Sequence, residues 1–391
     1  MVAPDIDVLV VGAGIQGVGV AQALAALGHS VHVVEAVAPA SGTSSRSSKL
    51  IHGGLRYLES FQFGLVRESL SERAILATIA PHLVRLVPFF IPVYRTTTRR
   101  PWQIRAGLTL YALLGSLNKD ARFRRVPRAQ WETLDGLKLD DLQAVFEYHD
   151  GQTDDAALCR AVLQSAEDLG ATKAIGSELV SAQRDDSGWS VTTRSDERET
   201  TVRAGILVNA AGPWANQVAE RIRPQPPRRA IDLVGGTHIE IEGTLERGIY
   251  YTEAPADQRA VFSIPWKGHI MVGTTETPYD GDPRTVAPHA SEIEYLQSTL
   301  RHYFPTQTGE LIRAWAGLRV LPQGEGNAFN RPREVILLAD APAKPSVVTI
   351  YGGKLTGYRH TAQRVAKLLA PSLPTARRQA DTRSLRLPQV D

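Results

Sequence analysis

A predicted β-α-β unit at the start of the chain constrains the fold more than any other feature. Residues 8–11 form a short apolar run rich in valine, which is typical of a buried parallel strand. An alanine- and leucine-rich stretch over 18–27 predicts a helix that stops at Gly28, and 31–34 predict a second strand. This order of elements indicates an α/β fold with a parallel sheet.

The turn between the first strand and the helix carries glycines at the spacing G-x-G-x-x-G. Gly12 allows the tight turn, Gly14 lets a pyrophosphate approach the backbone, and Gly17 lets helix and strand pack closely. The phosphates would then lie at the helix N-terminus, where N–H groups and the dipole favour negative charge. Glu35, at the end of the second predicted strand, can accept hydrogen bonds from a ribose hydroxyl and would repel a 2′-phosphate. The unit predicts a dinucleotide site that disfavours NADP, and it leaves both NAD and FAD open.

The far end of the chain favours FAD over NAD. A predicted strand over 347–351 leads into Gly352, Gly353 and Lys354 at the start of a helix from about 358 to 369. Nicotinamide dehydrogenases usually build their nucleotide fold from one continuous block, whereas here both ends of the chain contribute. The N–H dipoles of this turn would face a flavin ring edge that becomes negative on reduction.

Composition narrows the class of protein further. The 391 residues, 43% hydrophobic and 22% charged, fit a globular protein of two or three domains. A formal charge of +3 is no nucleic-acid signature, and the single cysteine, Cys159, excludes an internal disulfide and a Cys-ligated metal cluster. Residues 1–7 have no basic region of a signal peptide, and no apolar run reaches the roughly 18 residues of a spanning helix. The expected location is the cytoplasm or the cytoplasmic face of the inner membrane.

The rest of the chain predicts alternating elements and a second sheet. Helices are expected over 63–79 and 153–170, and a short buried strand over 206–208. Alternating stretches between 229 and 319 predict an antiparallel sheet. The tail after Ala370, rich in Pro and Arg, is expected to be loose.

Six segments resemble one known family. The segment 43–59, TSSRSSKLIHGGLRYLE, is similar to the signature loop of FAD-dependent glycerol-3-phosphate dehydrogenases. Five others follow in family order: NAAGPW at 209–214, GGTH at 235–238, IPW at 264–266, GTT at 273–275 and YGGKLT at 351–356. The resemblance implies the fold of D-amino-acid-oxidase-like flavoproteins, which has a Rossmann-like FAD-binding domain (α/β) and a discontinuous antiparallel-sheet substrate cap (α+β). The expected division is 1–80, 145–228 and 332–370 for the FAD domain, 81–144 and 229–331 for the cap, and 371–391 for the loose tail.

The sequence departs from the family pattern in three ways. The resemblance implies a C-terminal helical domain, which we expect to be missing here beyond the short tail. Residues 316–321 read AGLRVL where Ser-Gly-x-Arg-Pro-Leu is usual, and Glu276 stands where an Asp is typical. These departures leave loop shape, oligomeric state and electron acceptor open.

The resemblance implies which side chains handle the substrate. A phosphate calls for planar guanidinium donors, which are assigned to Arg56 and Arg319, with Tyr57 adding a hydroxyl. Arg331 is a looser assignment, because Arg333 fits the same role.

The catalytic groups are expected to be two histidines and a lysine. A base that titrates near neutral pH points to histidine, with His52 placed ahead of His238 and both kept as candidates. Lys354 is expected to stabilise the reduced flavin or the substrate oxyanion. The predicted FAD contacts are Gly12, Gly14, Gly17, Glu35, Ser44, Ser45, Ser47, Ser48, Lys49, Ala211, Gly212, Gly352, Gly353, Lys354, Leu355 and Thr356.

A stretch without acidic residues, from 73 to 119, mixes basic and aromatic side chains. One interpretation is a surface that docks on anionic lipid close to a quinone. The other is a basic face that attracts a phosphorylated substrate, or a solvated surface.

The expected activity is FAD-dependent oxidation of sn-glycerol 3-phosphate to dihydroxyacetone phosphate by hydride transfer to flavin N5, with quinone as electron acceptor. One alternative is the same oxidation with oxygen as acceptor, which gives hydrogen peroxide. Others are a flavin protein that acts on a different substrate, such as an amine or hydroxy acid, or one without turnover.

Overall fold

The computed structural model describes residues 5–115, 122–324 and 335–390, and two sheets dominate these ranges. Elements are numbered in chain order. The strands of the first sheet are β1 (Ile6–Val11), β2 (Val31–Glu35), β7 (Thr172–Ile175), β8 (Glu178–Asp185), β9 (Gly188–Ser195), β10 (Arg198–Asn209), β11 (Ile222–Arg223), β18 (Ile336–Ala339) and β19 (Val347–Tyr351). Those of the second are β3 (Leu50–Ile51), β4 (Arg85–Tyr94), β5 (Phe123–Arg125), β6 (Leu142–Gln152), β12 (Ile231–Ile241), β13 (Ile249–Glu253), β14 (Ala260–Trp266), β15 (His269–Gly273), β16 (Thr277–Tyr279) and β17 (Leu311–Pro322).

The helices cover both sheets. They are α1 (Ile15–Ala26), α2 (Phe63–Ile79), α3 (Pro101–Leu114), α4 (Asp155–Asp168), α5 (Ala215–Ala219), α6 (Ala290–Tyr303) and α7 (Tyr358–Leu369). Among the helices of the described ranges, none is both long enough and apolar enough to pass through a bilayer.

The first sheet confirms the predicted β-α-β unit and the α/β class. Its parallel part has the order β7-β2-β1-β10-β19, and β18 runs antiparallel to β19. Strands β2 and β7 lie on one side of β1, and β10 and β19 lie on the other. The strand order therefore reverses between β1 and β10, where ligands of such sheets bind in the crevice at the carboxyl ends.

Alternate residues of β1 are buried on the two faces of the first sheet. Val8 and Val10 join a core that includes side chains of α1, α4 and α7. Leu9 and Val11 join a second core with residues of β8 and β9. Burial on both faces explains why the strand is a continuous apolar run rather than an alternating one.

The second sheet forms the cap and is antiparallel, as predicted, apart from one parallel pair among the described strands, β4 with β13. Its central strand β12 pairs with β15, β16 and β17. One face packs against α6 through Leu296 and Leu300, and the other packs against α2 and α3 through Leu70 and Leu108.

The structure moves two predicted limits between the domains. The expected boundary at 144/145 falls inside β6, which pairs with β4 along its length in the second sheet. Residues 50–51, expected in the FAD domain, form β3 and pair with the end of β6. The buried strand expected over 206–208 is longer, because residues of β10 before Ala204 pair with β9.

The chain after Ala370 is not the loose tail expected from its composition. It contains no helix or strand up to residue 390, yet the N–H groups of Gln379 and Ala380 donate to the Ala26 carbonyl. Leu387 is buried against the first core, and its N–H donates to the Ile79 carbonyl. Backbone hydrogen bonds to the ends of α1 and α2 hold the tail, and composition carries no signal for them.

A buried ion pair joins α2 to α7. The Arg359 guanidinium donates to both carboxylate oxygens of Glu72, with Nε 2.8 Å from Oε2, and both side chains are at most 4% exposed. We expect Arg359→Leu to lower the free energy of unfolding by about 3–5 kcal/mol, because it leaves a buried carboxylate without its cation. Denaturant unfolding of the holoprotein measures the loss.

The exposed pair of Arg194 and Glu199 gives the matched control, since Arg194→Leu should cost less than about 1 kcal/mol. The double variant Glu72→Leu with Arg359→Leu should recover much of the loss. Equal losses from Arg359→Leu and Arg194→Leu would contradict a role for the buried pair.

Candidate active site

A cavity of about 630 Å³ lies between the carboxyl edge of the first sheet and the second sheet. Its walls come from the loops after β1, β2, β10 and β19, from residues 41–57, and from β12, β14 and β17. The cavity therefore joins the predicted nucleotide site to the cap.

The glycine turn is shaped by close backbone approaches. Gly12 has φ +102°, and a Cβ there would lie 2.8 Å from the Ala210 carbonyl oxygen. A Cβ on Gly17 would lie 1.9 Å from the Gly12 oxygen, so Gly17 serves helix–strand packing and lies outside the cavity lining. Gly12 and Gly14 line the cavity, and α1 directs its N-terminus into it, which is the geometry of an anion site.

Glu35 is fixed at the rim by two backbone N–H groups, one from the glycine turn and one from its own turn. Its Oε2 accepts a hydrogen bond from Ala13 N at 2.8 Å, and its Oε1 accepts one from Val37 N at 2.9 Å. The carboxylate lines the cavity at the end of β2. This is the position from which an acid contacts a nucleotide ribose.

The serine loop, residues 41–49, contains some side chains that line the cavity and others that hold the loop in place. Ser44, Ser47 and Ser48 line the cavity, whereas Ser45 and Lys49 do not. Lys49 Nζ donates to the Ser45 carbonyl at 2.6 Å and to Asp155 Oδ1 at 2.5 Å. The buried ion pair of Lys49 and Asp155 therefore holds the loop, and the FAD contacts of Lys49 and Ser45 stay predictions.

The opposite wall brings the two ends of the chain together. It contains the predicted residues Ala211, Gly212, Gly352, Gly353, Lys354, Leu355 and Thr356. Gln16, inside the glycine turn, donates from Nε2 to the Lys354 carbonyl at 3.2 Å. A Cβ on Gly353, at φ +110°, would lie 2.6 Å from that Nε2, so the contact needs a glycine. Lys354 lies in the loop before α7, which begins at Tyr358, and not at the helix start as expected.

Positive charge gathers at the end of the cavity near the second sheet. Arg319 Nη1 lies 3.0 Å from Glu276 Oε1, and Arg56 Nη1 lies 4.0 Å from the same oxygen. Lys354 Nζ lies 3.9 Å from the centroid of the Tyr57 ring. The structure thus brings together three of the four residues assigned to the substrate, and Arg331, like its alternative at 333, lies outside the described residues.

His238 is buried beside this charge cluster. Its ring stacks on Trp315 with centroids 5.7 Å apart, and its Nε2 lies 2.9 Å from Ser48 Oγ. A Cβ on Gly273 would lie 2.2 Å from the ring. Burial, and then the positive charges of Arg319 and Lys49, lower the pKa of His238 to about 3. The imidazole is therefore neutral at pH 7.

His52 also lines the cavity, and it directly precedes Gly53 and Gly54, which define the Gly-Gly loop. Its backbone N–H donates to Thr356 Oγ1 at 3.2 Å, and its ring meets the Phe262 ring edge-on at 6.4 Å. Thr356 thus ties the loop of His52 to the loop after β19. The order of the two histidines as base stays a prediction.

Several residues of the site are not predicted from the sequence. Asp155 supports the serine loop, and its partner Lys49 is 106 positions away, so no local pattern signals the contact. Gln16 lies within the glycine motif, where only its position hinted at a role. Glu276 was noted as a departure from the family, but its pairing with two arginines was not predicted.

A glycine turn at the switch point, an acid after β2 and a second sheet closing the same cavity define a capped dinucleotide-binding oxidoreductase. Residues 7–361 match the DAO family, described as FAD dependent oxidoreductase, and the chain belongs to this family. Its cofactor is FAD. The residues present fit FAD, because the Gly12–Gly17 cradle excludes side chains while Gly14 and Ser44 face the cavity at the N-terminus of α1.

Three relatives place the chain within the family. It is 38% identical over 375 residues to glycerol-3-phosphate dehydrogenase of Pseudomonas aeruginosa, covering 93% of this chain and 72% of the relative. It is 36% identical over 364 residues to D-erythritol 1-phosphate dehydrogenase of Brucella abortus, covering 92% and 72%. The structure of glycerol-3-phosphate dehydrogenase from Bacillus halodurans complexed with FAD superimposes with a TM-score of 0.74 at 26% identity, over 98% of this chain and 67% of that one. The family resemblance read from the sequence is confirmed.

The buried His238 makes the stability of the protein depend on pH. Its pKa is lowered in the folded protein, so below its ordinary value of 6.5 the unfolded chain takes up a proton that the folded protein does not. The stabilisation is complete above about pH 6.5 and is lost as the pH falls toward 3. We expect this residue to account for about 2 kcal/mol of the stability lost between pH 6.5 and 5.

The measurement is the free energy of unfolding against pH for wild type and His238→Gln. The variant should have a shallower slope between pH 6.5 and 5. The exposed His82 gives the control, since His82→Gln should keep the wild-type slope. An unchanged slope in His238→Gln would contradict the assignment.

Proposed function

We propose that this FAD enzyme oxidises the secondary hydroxyl of sn-glycerol 3-phosphate and releases dihydroxyacetone phosphate. The observation that carries the proposal is the pair of Arg56 and Arg319 around one carboxylate at the cap end of the cavity. Relatives named for glycerol 3-phosphate support it. Bound FAD supplies the two-electron acceptor, and the residues of this chain bind the phosphate and hold the hydroxyl proton.

The charges suit a phosphate dianion. Arg56, Arg319 and Lys354 line this end of the cavity, and the two arginines lie beside the carboxylate of Glu276. Guanidinium groups present several donors in a plane that matches phosphate oxygens. An amine or hydroxy acid would need only one arginine for its carboxylate.

The proton of the hydroxyl goes to a histidine. His52 is the proposed base, in a loop tied to Thr356 beside the flavin site. His238 is the second candidate. A phosphate dianion beside Arg319 would offset part of the positive charge that lowers the pKa of His238. The His238 imidazole would then be a stronger base in the complex.

A second candidate substrate is D-erythritol 1-phosphate. The relative named for it is 36% identical to this chain, close to the 38% of the relative named for glycerol 3-phosphate. Both compounds present a phosphate and a secondary hydroxyl to the same arginines. The longer polyol chain would extend toward the aromatic wall of Tyr148, Tyr251 and Phe262.

We expect glycerol 3-phosphate to bleach the flavin absorbance band of the holoenzyme under anaerobic conditions. Arg56→Ala and Arg319→Ala should each raise KM about 10- to 100-fold, since each removes charge-assisted hydrogen bonds to phosphate. Steady-state rates and anaerobic flavin reduction measure both effects, with D-erythritol 1-phosphate assayed in parallel.

Arg194→Ala, at an exposed residue of β9, is the control and should behave as wild type. If both cavity variants keep the wild-type KM, the phosphate assignment fails. A faster bleaching with erythritol phosphate would assign the longer substrate.

The proposed electron acceptor is a quinone, reached from the cytoplasmic face of the membrane. Most aromatic residues of the acid-free stretch are buried in the cap, including Phe89, Phe90, Tyr94 and Tyr111. Trp102 and Leu113 on α3 are 70% and 54% exposed and lie along one side of the helix with the exposed Arg105. This side of α3 is the proposed contact with anionic lipid. Oxygen remains the alternative acceptor, and readmitting air to the reduced enzyme separates the two.

Trp102→Glu should weaken sedimentation with vesicles containing anionic lipid at least several-fold, because it places a negative charge on the proposed contact. Ile312→Glu, at an exposed apolar residue of β17, is the control. If both variants bind the vesicles as well as wild type does, α3 is not the contact with lipid.

A further inference from the structure

We propose that Tyr111, held by Asp150 and Arg73, is a positioning residue for the loop that carries His52 and Arg56. The proposal deepens the function proposed above and rests on it. It assigns a role to a buried network behind the active site, whose three side chains lie outside the cavity lining.

The network is a continuous chain of hydrogen bonds. Tyr111 Oη accepts from Gly53 N at 2.8 Å and donates to Asp150 Oδ2 at 2.6 Å. Arg73 Nη1 donates to Asp150 Oδ1 at 2.9 Å. The three side chains come from α3, β6 and α2. The network therefore connects the Gly53 peptide group to two elements of the cap and to α2, which packs against both sheets.

That peptide group lies in the middle of the active-site loop. Gly53 follows His52 directly and precedes Arg56 by three residues. A Cβ on Gly53 would lie 2.4 Å from Tyr111 Oη, so the loop approaches the tyrosine too closely for any other residue.

The loop is held from both sides through consecutive amides. His52 N donates to Thr356 on the flavin side, and Gly53 N donates to Tyr111 on the cap side. Gly53 has no side chain to pack, so these backbone hydrogen bonds fix the direction in which the His52 ring and the Arg56 side chain leave the loop.

The network is buried, and its main effect is to fix the orientation of the Tyr111 hydroxyl rather than to stabilise the fold. Tyr111 and Asp150 are each 1% exposed, and Arg73 is 5% exposed. Burial and the nearby Asp150 raise the pKa of Tyr111, so its hydroxyl stays protonated and keeps one donor and one acceptor role. A buried ion pair is weak evidence for stability, because desolvation offsets the attraction. Its effect here is to orient the tyrosine hydroxyl toward Gly53.

The first test compares Tyr111→Phe with Tyr94→Phe in the holoenzyme. Tyr94 is also a buried tyrosine of the cap, 4% exposed, and its hydroxyl donates to the Lys138 carbonyl at 2.6 Å. We expect Tyr111→Phe to lower the limiting rate of anaerobic flavin reduction by about 10-fold and to raise KM several-fold, because small displacements of a catalytic group are costly. Tyr94→Phe should stay within twofold of wild type in both, at a comparable fall in Tm. Equal kinetic effects of the two variants would overturn the proposal.

A double-mutant cycle with His52 shows whether Tyr111 acts through the loop. If it does, adding Tyr111→Phe to His52→Gln should change the limiting rate by less than about twofold. A full 10-fold effect in the His52→Gln background would mean that Tyr111 acts elsewhere, and would overturn the proposal.

Binding of inorganic phosphate separates this proposal from the proposed function. Titration calorimetry with the holoenzyme needs no turnover, so it applies even if wild type is reduced by neither polyol phosphate, which would refute the function alone. Tyr111→Phe should then weaken phosphate binding several-fold through Arg56, and Tyr94→Phe should not. Unchanged binding in Tyr111→Phe would overturn the positioning of Arg56.

Discussion

The position of β10 between β1 and β19 is the constraint on which the site depends. Its residues 207–209 pair in parallel with both neighbours, so Val11, Asn209 and Thr349 lie side by side. Three loops from distant parts of the chain therefore leave the sheet at one edge. The same pairing joins the first and last parts of the sequence, which is why the nucleotide site cannot form from the N-terminal unit alone.

Both loops closest to the proposed reaction are rich in small residues and are held by buried charges. Lys49 and Asp155 hold the serine loop, and Asp150, through Tyr111, holds the Gly-Gly loop. Small residues allow a ligand close to the backbone, but they provide little side-chain packing to fix the loop. Directional hydrogen bonds from groups deep in the fold take over that task, at the cost of desolvating the charges.

The electrostatics of the cavity change along its length. At the nucleotide end a fixed acid, Glu35, lies near the N-terminus of α1, a pattern suited to ribose and pyrophosphate. At the cap end Arg56 and Arg319 lie beside Glu276, and burial, followed by the charges of Arg319 and Lys49, lowers the pKa of His238. Under the proposed function, an anion bound beside Arg319 would raise the pKa of His238 and make its imidazole a stronger base.

Local sequence was sufficient for the features that depend on neighbouring residues. The β-α-β unit, the glycine spacing, the bounds of α2 and the family of the signature loop follow from hydrophobic periodicity and from short segments of the chain. Contacts between distant residues were decided by the folded chain. They include the assignment of β6 to the cap, the docking of the tail on Ala26, the pairing of Lys49 with Asp155 and the low pKa of His238. The physical reason is that burial and electrostatic environment depend on all residues that meet in space, and a pattern within one segment contains no record of them.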